Sequence, residues 1–350
     1  NEVGSDPGRN GLSIEEFHSY CAKMQETHPL TMTTLSTHDT KRSDDVRARL
    51  AVLSEIPEKF GAAIQRWSRM NNAFRARKPW GDPLPDRNTE YFYYQTLIGA
   101  WPLPMDRAKA YMTKAVREAK QQTTWVANNK EFEDALDLFI EFTYSYAPFQ
   151  RELQQFVERI LEAGRVNSLA QTLLKYTAPG VPDLYQGTEL WDLSLVDPDN
   201  RRPVDYAVRQ RLLQELKVMS GDDAPAKVLA RADEGLPKMW TIHKALQLRR
   251  ERPASFGAEA DYVPLMVDGA KHDHVIAYLR GEDVVTVVPR LILKLGGAWK
   301  DTSVTLPEGR WRNRMTGANI EGGEVGVKEL LEHFPVALLA REDVGEKANA

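Results

Sequence analysis

The sequence predicts an α/β chain: two short strand-to-loop segments set among helices, a long helical insertion between them, and a small antiparallel β domain at the end. Three observations predict it. Residues 31–36 are rich in threonine and residues 181–185 form a short run ending at a Gly turn, and each leads into a polar loop. Residues 57–175 carry apolar side chains at helical spacing almost throughout. Beyond residue 253 the composition changes to short β-like runs separated by Gly- or Pro-containing turns.

Taken in order, residues 13–26 predict a helix with Ser13 as N-cap, Glu16 completing a capping box, and Leu12 and Phe17 placed for a hydrophobic staple. Its apolar face is Ile14, Phe17, Tyr20, Cys21 and Met24, and Pro29 ends the pattern. Residues 31–36 predict a buried strand, followed by the polar loop of residues 37–42. Ser43 then caps a second helix, with Asp44 and Asp45 favourable to its dipole and Val46, Leu50 and Leu53 as the inner stripe. Within the helical run, Phe60, Ala63, Ile64 and Trp67 form one stripe and Leu153, Phe156, Val157, Ile160 and Leu161 another, with a Pro-rich loop at residues 78–87. Such a run is too long for an ordinary connection between strand and helix, and reads as an inserted subdomain. A last helix is expected over residues 237–250, then strands at 275–279, 284–288, 303–306 and 336–339, and a polar tail.

Composition excludes several functions. With 350 residues, 42% hydrophobic, the chain can bury the cores of two domains. A net charge of −4 with interspersed signs offers no field for nucleic acid. No apolar run reaches the roughly 18 residues of a membrane helix, and no export leader is visible. The single cysteine, Cys21, cannot form an internal disulfide, so a reducing compartment, the cytoplasm, is expected. The chain opens on Asn1 and is expected to begin inside an element.

For chemistry, the loop holding His38 and Asp39 stands out, because catalytic side chains of barrel enzymes sit where strands run into such loops. From the residues alone two readings stand: a catalytic carboxylate with its neighbour, or a turn residue and a packed histidine. The flanking Lys41, Arg42, Arg47 and Arg49 read equally as a solvated helix face. His272 and His274 would place two imidazoles on one face of a strand, yet no further ligand cluster lies nearby, so a solvated face is expected and no metal. Most of the eight tryptophans fall at helical spacing and read as core; Trp80 and Trp101, beside prolines, are better candidates for stacking on sugars. No phosphate loop, zinc-type cysteine spacing or serine nucleophile elbow appears, and no cofactor is expected.

The string STHDTKRSDDVRAR of residues 36–49 resembles the corresponding segment of the maltooligosyl trehalose synthases, a family of the alpha-amylase superfamily. Also similar are NEVG at residues 1–4, YQTLIGAWP at 94–102, REAK at 117–120, PGVPDLYQGTEL at 179–190 and LVDPDNRRPVD at 195–205. The likeness extends to about residue 341 and implies the C-terminal part of a (β/α)8 barrel with a large helical insertion, followed by a small antiparallel β domain. The implied division is 1–56 as a barrel segment with the His-Asp loop, 57–165 as the insertion, 166–252 as the last strand and closing helices, 253–341 as a β-sandwich-like domain, and 342–350 as a tail.

The resemblance also implies roles. Asp39 corresponds to the carboxylate that steadies an oxocarbenium-like transition state, and His38 to a neighbour that contacts sugar hydroxyls. Lys41, with Arg42 beside it, falls at the adjoining subsite, where a released glucose must be held and turned. Tyr185, Gln186, Asp199, Asn200 and Arg201 are candidates for lining the same cleft; a Gly turn and an Arg–carboxylate clasp explain them as well. In the family the nucleophile and the acid/base precede the segment with which this chain opens. The expected partners are therefore a maltooligosaccharide and the N-terminal half of the same enzyme, and this chain alone is expected to be inactive. The implied reaction turns a reducing-end α-1,4 linkage into an α,α-1,1 linkage. A hydrolytic amylase or glucosidase, or a non-catalytic carbohydrate-binding fragment, are the alternatives.

Overall fold

Ser13 opens the first helix as the sequence predicts: its backbone N–H donates to Glu16 Oε2 at 2.8 Å, and Glu16 N–H returns to Ser13 Oγ at 3.1 Å. The computed structural model describes residue 8, residues 11–76 and residues 82–342. The string at residues 1–4, Trp80 and the tail from residue 343 lie outside the described residues.

In chain order the helices and strands begin with α1 (Ile14–Thr27), β1 (Met32–Thr33), α2 (Asp44–Ala51), α3 (Pro57–Asn71), α4 (Arg87–Ala100), α5 (Met105–Ala119), α6 (Lys130–Ser145) and α7 (Ala147–Thr177). There follow β2 (Val181–Pro182), α8 (Tyr206–Val218), α9 (Ala224–Leu229), α10 (Leu236–Glu251), β3 (Tyr262–Pro264), β4 (Val267–Asp268), β5 (Val275–Arg280) and β6 (Val284–Pro289). The chain then forms α11 (Ile292–Leu295), β7 (Ser303–Asn313), β8 (Asn319–Gly326), α12 (Val327–Leu331) and β9 (Ala337–Arg341). It divides into two compact units, one of Asn1–Thr37, Arg165–Asp192 and Pro203–Ala350, the other of His38–Gly164 and Leu193–Arg202. No described helix is long and apolar enough to cross a membrane.

In the first unit, β1 and β2 pair in parallel, Met32 opposite Val181 and Thr33 opposite Pro182. The buried strands expected at residues 31–36 and 181–185 shrink to these two-residue pieces, and they are not buried: Met32 is 74% exposed and Val181 44%. Among the described residues no third strand joins this ladder, and Met32 and Val181 stand open to solvent. Beside it α1, β1 and the end of α7 surround an open apolar hollow of about 310 Å³, lined by Phe17, Tyr20, Met24, Leu174 and Ala178 among others. Tyr20 is accordingly exposed rather than part of a packed helix face.

The C-terminal strands form one antiparallel sheet in the order β3-β5-β6-β9-β7-β4, with β8 paired to β7. The expected sandwich is thus a single curled sheet. Ile276, Tyr278, Val284, Leu338 and Ala340 pack on one side with Trp240, Leu248 and Leu173 of the helices. Val275, Ala277, Val285, Val287 and Leu339 pack on the other with Val304, Trp311 and Ile320. Both faces are covered, which is why β5 and β6 read as continuous apolar runs rather than alternating ones; each buried valine contributes about 1.5–3 kcal/mol. Strand β8 escapes sequence reading because Gly322, Gly323 and Gly326 dilute its β propensity. Glycine is required at 322: β7 bulges between Leu306 and Arg310, and the Pro307 carbonyl occupies the place of a Cβ.

The second unit gathers α2 to α6 and the first half of α7. Trp67, fully buried, meets Tyr94, Phe149 and Phe156 edge-on at 5.7, 5.8 and 5.4 Å between ring centres. Helices α2 and α4 approach closely at Gly99, where an added Cβ would come within 2.7 Å of Val46 Cγ1.

Candidate functional site

The second unit begins at the His-Asp loop, and the segment Leu193–Arg202 folds back onto it. Arg42 bridges Leu195 in antiparallel fashion, and Ser43 N–H donates to the Ser194 carbonyl at 3.0 Å. Asn200 Nδ2 donates to the carbonyl of His38 at 2.8 Å. Two candidates far apart in sequence, residues 38 and 200, are therefore brought together. His38 Nε2 lies 3.2 Å from Asp39 Oδ2, with the side chains 57% and 81% exposed. An open carboxylate beside an imidazole can accept hydroxyls and hold negative charge close to a positively charged centre.

The loop is fixed by the helix after it. Ser43 stands at the N-cap position but makes no side-chain cap bond. Arg42 reaches sideways, with its guanidinium 4.9 Å from the centre of the Phe92 ring and Nη2 3.3 Å from Thr96 Oγ1. Arg49 is 7% exposed rather than solvated, donating to the carbonyls of Ile98 and, at 2.6 Å, Trp101. Burial here follows from backbone acceptors at the end of α4, which no local sequence pattern announces.

Lys41 Nζ lies 3.5 Å from Glu118 Oε2 on α5. From the same helix Lys114 donates to the Asp197 carbonyl, and Arg107 grips Asp199 through Nε to Oδ1 at 2.7 Å and Nη2 to Oδ2 at 2.8 Å. Leu195 N–H adds a bond to Asp199 Oδ2 at 2.7 Å. Burial pushes the Asp199 carboxyl up, but the hydrogen bonds from Arg107 and Leu195 and the charges of Arg107 and Arg202 outweigh it and hold the group below its ordinary value. Asp199 thus has the clasp geometry. Arg201 Nε pairs with Asp197 Oδ1 at 2.5 Å. Sequence reasoning gave no role to Arg107, Lys114 or Glu118, although Glu118 lies in the family-like string at 117–120. Their spacing of seven and four residues puts them on one face of α5, the signal that could have found them.

Tyr185 and Gln186 belong to the other unit. The Tyr185 carbonyl accepts from Thr188 N–H at 3.1 Å and Thr188 Oγ1 at 2.8 Å, and Gly187 turns the chain at a φ of +89°. Arg209 secures this turn by donating to Glu189 and to the Gly187 carbonyl. Cys21, in the same unit, is buried, which pushes its thiol up to about 11, so it stays protonated at neutral pH.

The expected strand at His272 and His274 is a 3-10 turn instead. His272 Nδ1 is 3.0 Å from the Gly269 carbonyl, and His274 Nδ1 is 3.1 Å from that of Leu291, so local carbonyls engage both rings. Among the described residues no cluster of side chains could hold a metal ion. Trp101 is half-buried.

No family model matches the chain. It is 38% identical, over 98% of its length, to relatives named maltooligosyl trehalose synthase in two strains of Mycobacterium tuberculosis, and covers 42% of theirs. The solved maltooligosyltrehalose synthase of Arthrobacter ramosus is 37% identical, with a TM-score of 0.86 over 97% of this chain and 42% of that one. Another maltooligosyl trehalose synthase structure is 30% identical, with a TM-score of 0.79 over 97% of this chain and 43% of that one. Along nearly its whole length, therefore, this chain is homologous to the maltooligosyl trehalose synthases, and it corresponds to about 42% of the relatives it matches.

Proposed function

We propose that this chain is the C-terminal part of a maltooligosyl trehalose synthase. The whole protein would convert the reducing-end α-1,4 linkage of a maltooligosaccharide into an α,α-1,1 linkage, in the cytoplasm and in the service of trehalose synthesis. The observation that carries this reading is the 38% identity along 98% of the chain, spanning the His38-Asp39 loop.

In this reading Asp39 stabilises the oxocarbenium-like transition state and His38 bonds ring hydroxyls, roles that their exposure at 81% and 57% permits. The N-terminal half supplies the nucleophile and the acid/base. A covalent glycosyl intermediate is then resolved by the released glucose, held near Lys41 and Arg42, in place of water. Tyr185, Gln186 and Asn200 are the remaining candidates for sugar contacts, whereas Asp199 and Arg201, each already paired with a charge, better suit shaping the loop.

The exposed parallel ladder supports the N-terminal half as partner. Parallel strands occur almost only with both faces covered, yet Met32 and Val181 of the ladder are 74% and 44% exposed, and Leu30 just before it 64%. Further strands beside β1 would cover them and the neighbouring hollow.

The test is product analysis with the complete protein on maltopentaose. A non-reducing product with an α,α-1,1 end is expected. Glucose and maltotetraose as dominant products would make the protein a hydrolase, and binding without turnover would make it a carbohydrate-binding protein.

A further inference from the structure

Of the described tryptophans Trp125 is the exposed one, at 56%; the others are buried or half-buried. It sits between α5 and α6 in a loop pinned from several sides. Thr124 N–H donates to the Ala127 carbonyl at 3.1 Å, and Ala127 N–H returns to Thr124 Oγ1 at 2.9 Å. Thr123 Oγ1 donates to Glu133 at 2.6 Å and accepts from Asn129 N–H at 3.0 Å, while Asn129 caps α6. Arg117 lies over the indole, 4.9 Å from its centre, and is itself locked to Glu133 by bonds of 2.9 and 2.7 Å.

Single exposed apolar side chains are ordinary. A tryptophan in a pinned loop, backed on one face by a fixed guanidinium, differs, because little conformational freedom remains to be lost when a ligand covers it. Next to Arg117 in the last turn of α5 is Glu118, whose carboxylate is 3.5 Å from Lys41, two residues beyond Asp39. Lys41 and Glu118 are 41% and 39% exposed. The last turn of α5 thus meets a flat aromatic face through Arg117 and, through Glu118, an ammonium from the loop after Asp39. A pyranose ring is complementary to this set, with a face of C–H groups and a rim of hydroxyls that donate to a carboxylate and accept from an ammonium.

We infer that Trp125 is a stacking platform for a glucosyl residue of the α-1,4-glucan, with Glu118 and Lys41 as hydroxyl-binding groups for the same glucan. The inference rests on the reading of the whole protein as an enzyme of maltooligosaccharides.

The experiment uses the complete enzyme and maltoheptaose. Oxidation of Trp125 by N-bromosuccinimide, followed by peptide mass analysis, is expected to slow in the presence of maltoheptaose. In kinetics, Trp125→Ala is expected to raise KM for maltoheptaose about tenfold, and Trp125→Phe, which keeps an aromatic face, to restore most of it. An unchanged oxidation rate under conditions where calorimetry shows maltoheptaose bound overturns the platform and leaves the enzyme reading intact. So does an alanine variant with the parental KM. Absence of any maltoheptaose binding to the unmodified enzyme overturns the enzyme reading itself. The oxidation arm needs no variant to fold.

Discussion

Arg107 holds Asp199 by two parallel hydrogen bonds, 2.7 and 2.8 Å long, between groups only 17% and 12% exposed. The pair ties α5 to the segment that carries Asn200 and hence to the backbone of His38. Removing the guanidinium by Arg107→Ala would leave a nearly buried carboxylate without its main counter-charge, at a cost of about 3 kcal/mol. Asp199→Asn keeps the shape and should cost about 2 kcal/mol at pH 7. Because the folded-state value is depressed, the ionised pair stabilises the fold fully above the ordinary carboxylate value. That contribution is lost as pH falls through the depressed value. Urea unfolding of parent and Asp199→Asn at pH 7 and at about pH 3 should therefore show the gap narrowing in acid; a gap that widens would contradict the clasp.

The reciprocal bonds between Ser13 and Glu16 close the first turn of α1. Ser13→Ala is expected to lower stability by about 1 kcal/mol, and Ser13→Gly by only a few tenths. Thermal unfolding of the two variants side by side checks this order.

What could be read from the sequence follows the reach of each signal. The α1 cap is local and legible, since Ser13 and Glu16 lie within one turn. The strands β5 and β6 are legible because burial on both faces makes them apolar throughout. Strand β8 is not, because Gly322 answers to the Pro307 carbonyl on a neighbouring strand, and Gly323 and Gly326 further dilute its β propensity. His272 and His274 misled because alternation was assumed where a 3-10 turn forms. Within the candidate site, the His38-Asp39 loop was legible as a family string. The polar face of α5 was not, because its partners Lys41, Asp197 and Asp199 lie 77 to 92 residues away in the chain. Tryptophans beside prolines drew attention from Trp125, whose exposure depends on the folded α5–α6 loop.

Gly99 marks the close approach of α2 and α4. A Cβ there would stand 2.7 Å from Val46 Cγ1 and 3.1 Å from Leu50 Cδ1, so Gly99→Ala overpacks the contact. Alanine would otherwise favour the helix by about 1 kcal/mol, but overpacking costs about 1–3 kcal/mol, so a net loss is expected. Combining Gly99→Ala with Val46→Ala should cost less than the sum of the two single changes, because each creates or removes the same volume. Denaturant unfolding of the double-mutant cycle measures it, and strict additivity would place the strain elsewhere.

Under the reaction proposed for the complete protein, Lys41 and Glu118 offer the sharpest separation between transfer and hydrolysis. A released glucose escapes or is retained according to how many of its hydroxyls are held, and losing one charged donor costs about 1.5–3 kcal/mol. In the complete enzyme Lys41→Ala is therefore expected to raise hydrolysis relative to transfer about tenfold or more, because water replaces the loosened glucose at the intermediate. Glu118→Gln keeps the size and a hydrogen-bonding oxygen while removing the charge that draws Lys41 toward α5, so it should change the ratio in the same direction by less. The assay is the ratio of free glucose to non-reducing product from maltopentaose. If Lys41→Ala leaves that ratio unchanged, the lysine serves only to fasten the loop to α5, and its loss would appear instead as a lower unfolding temperature.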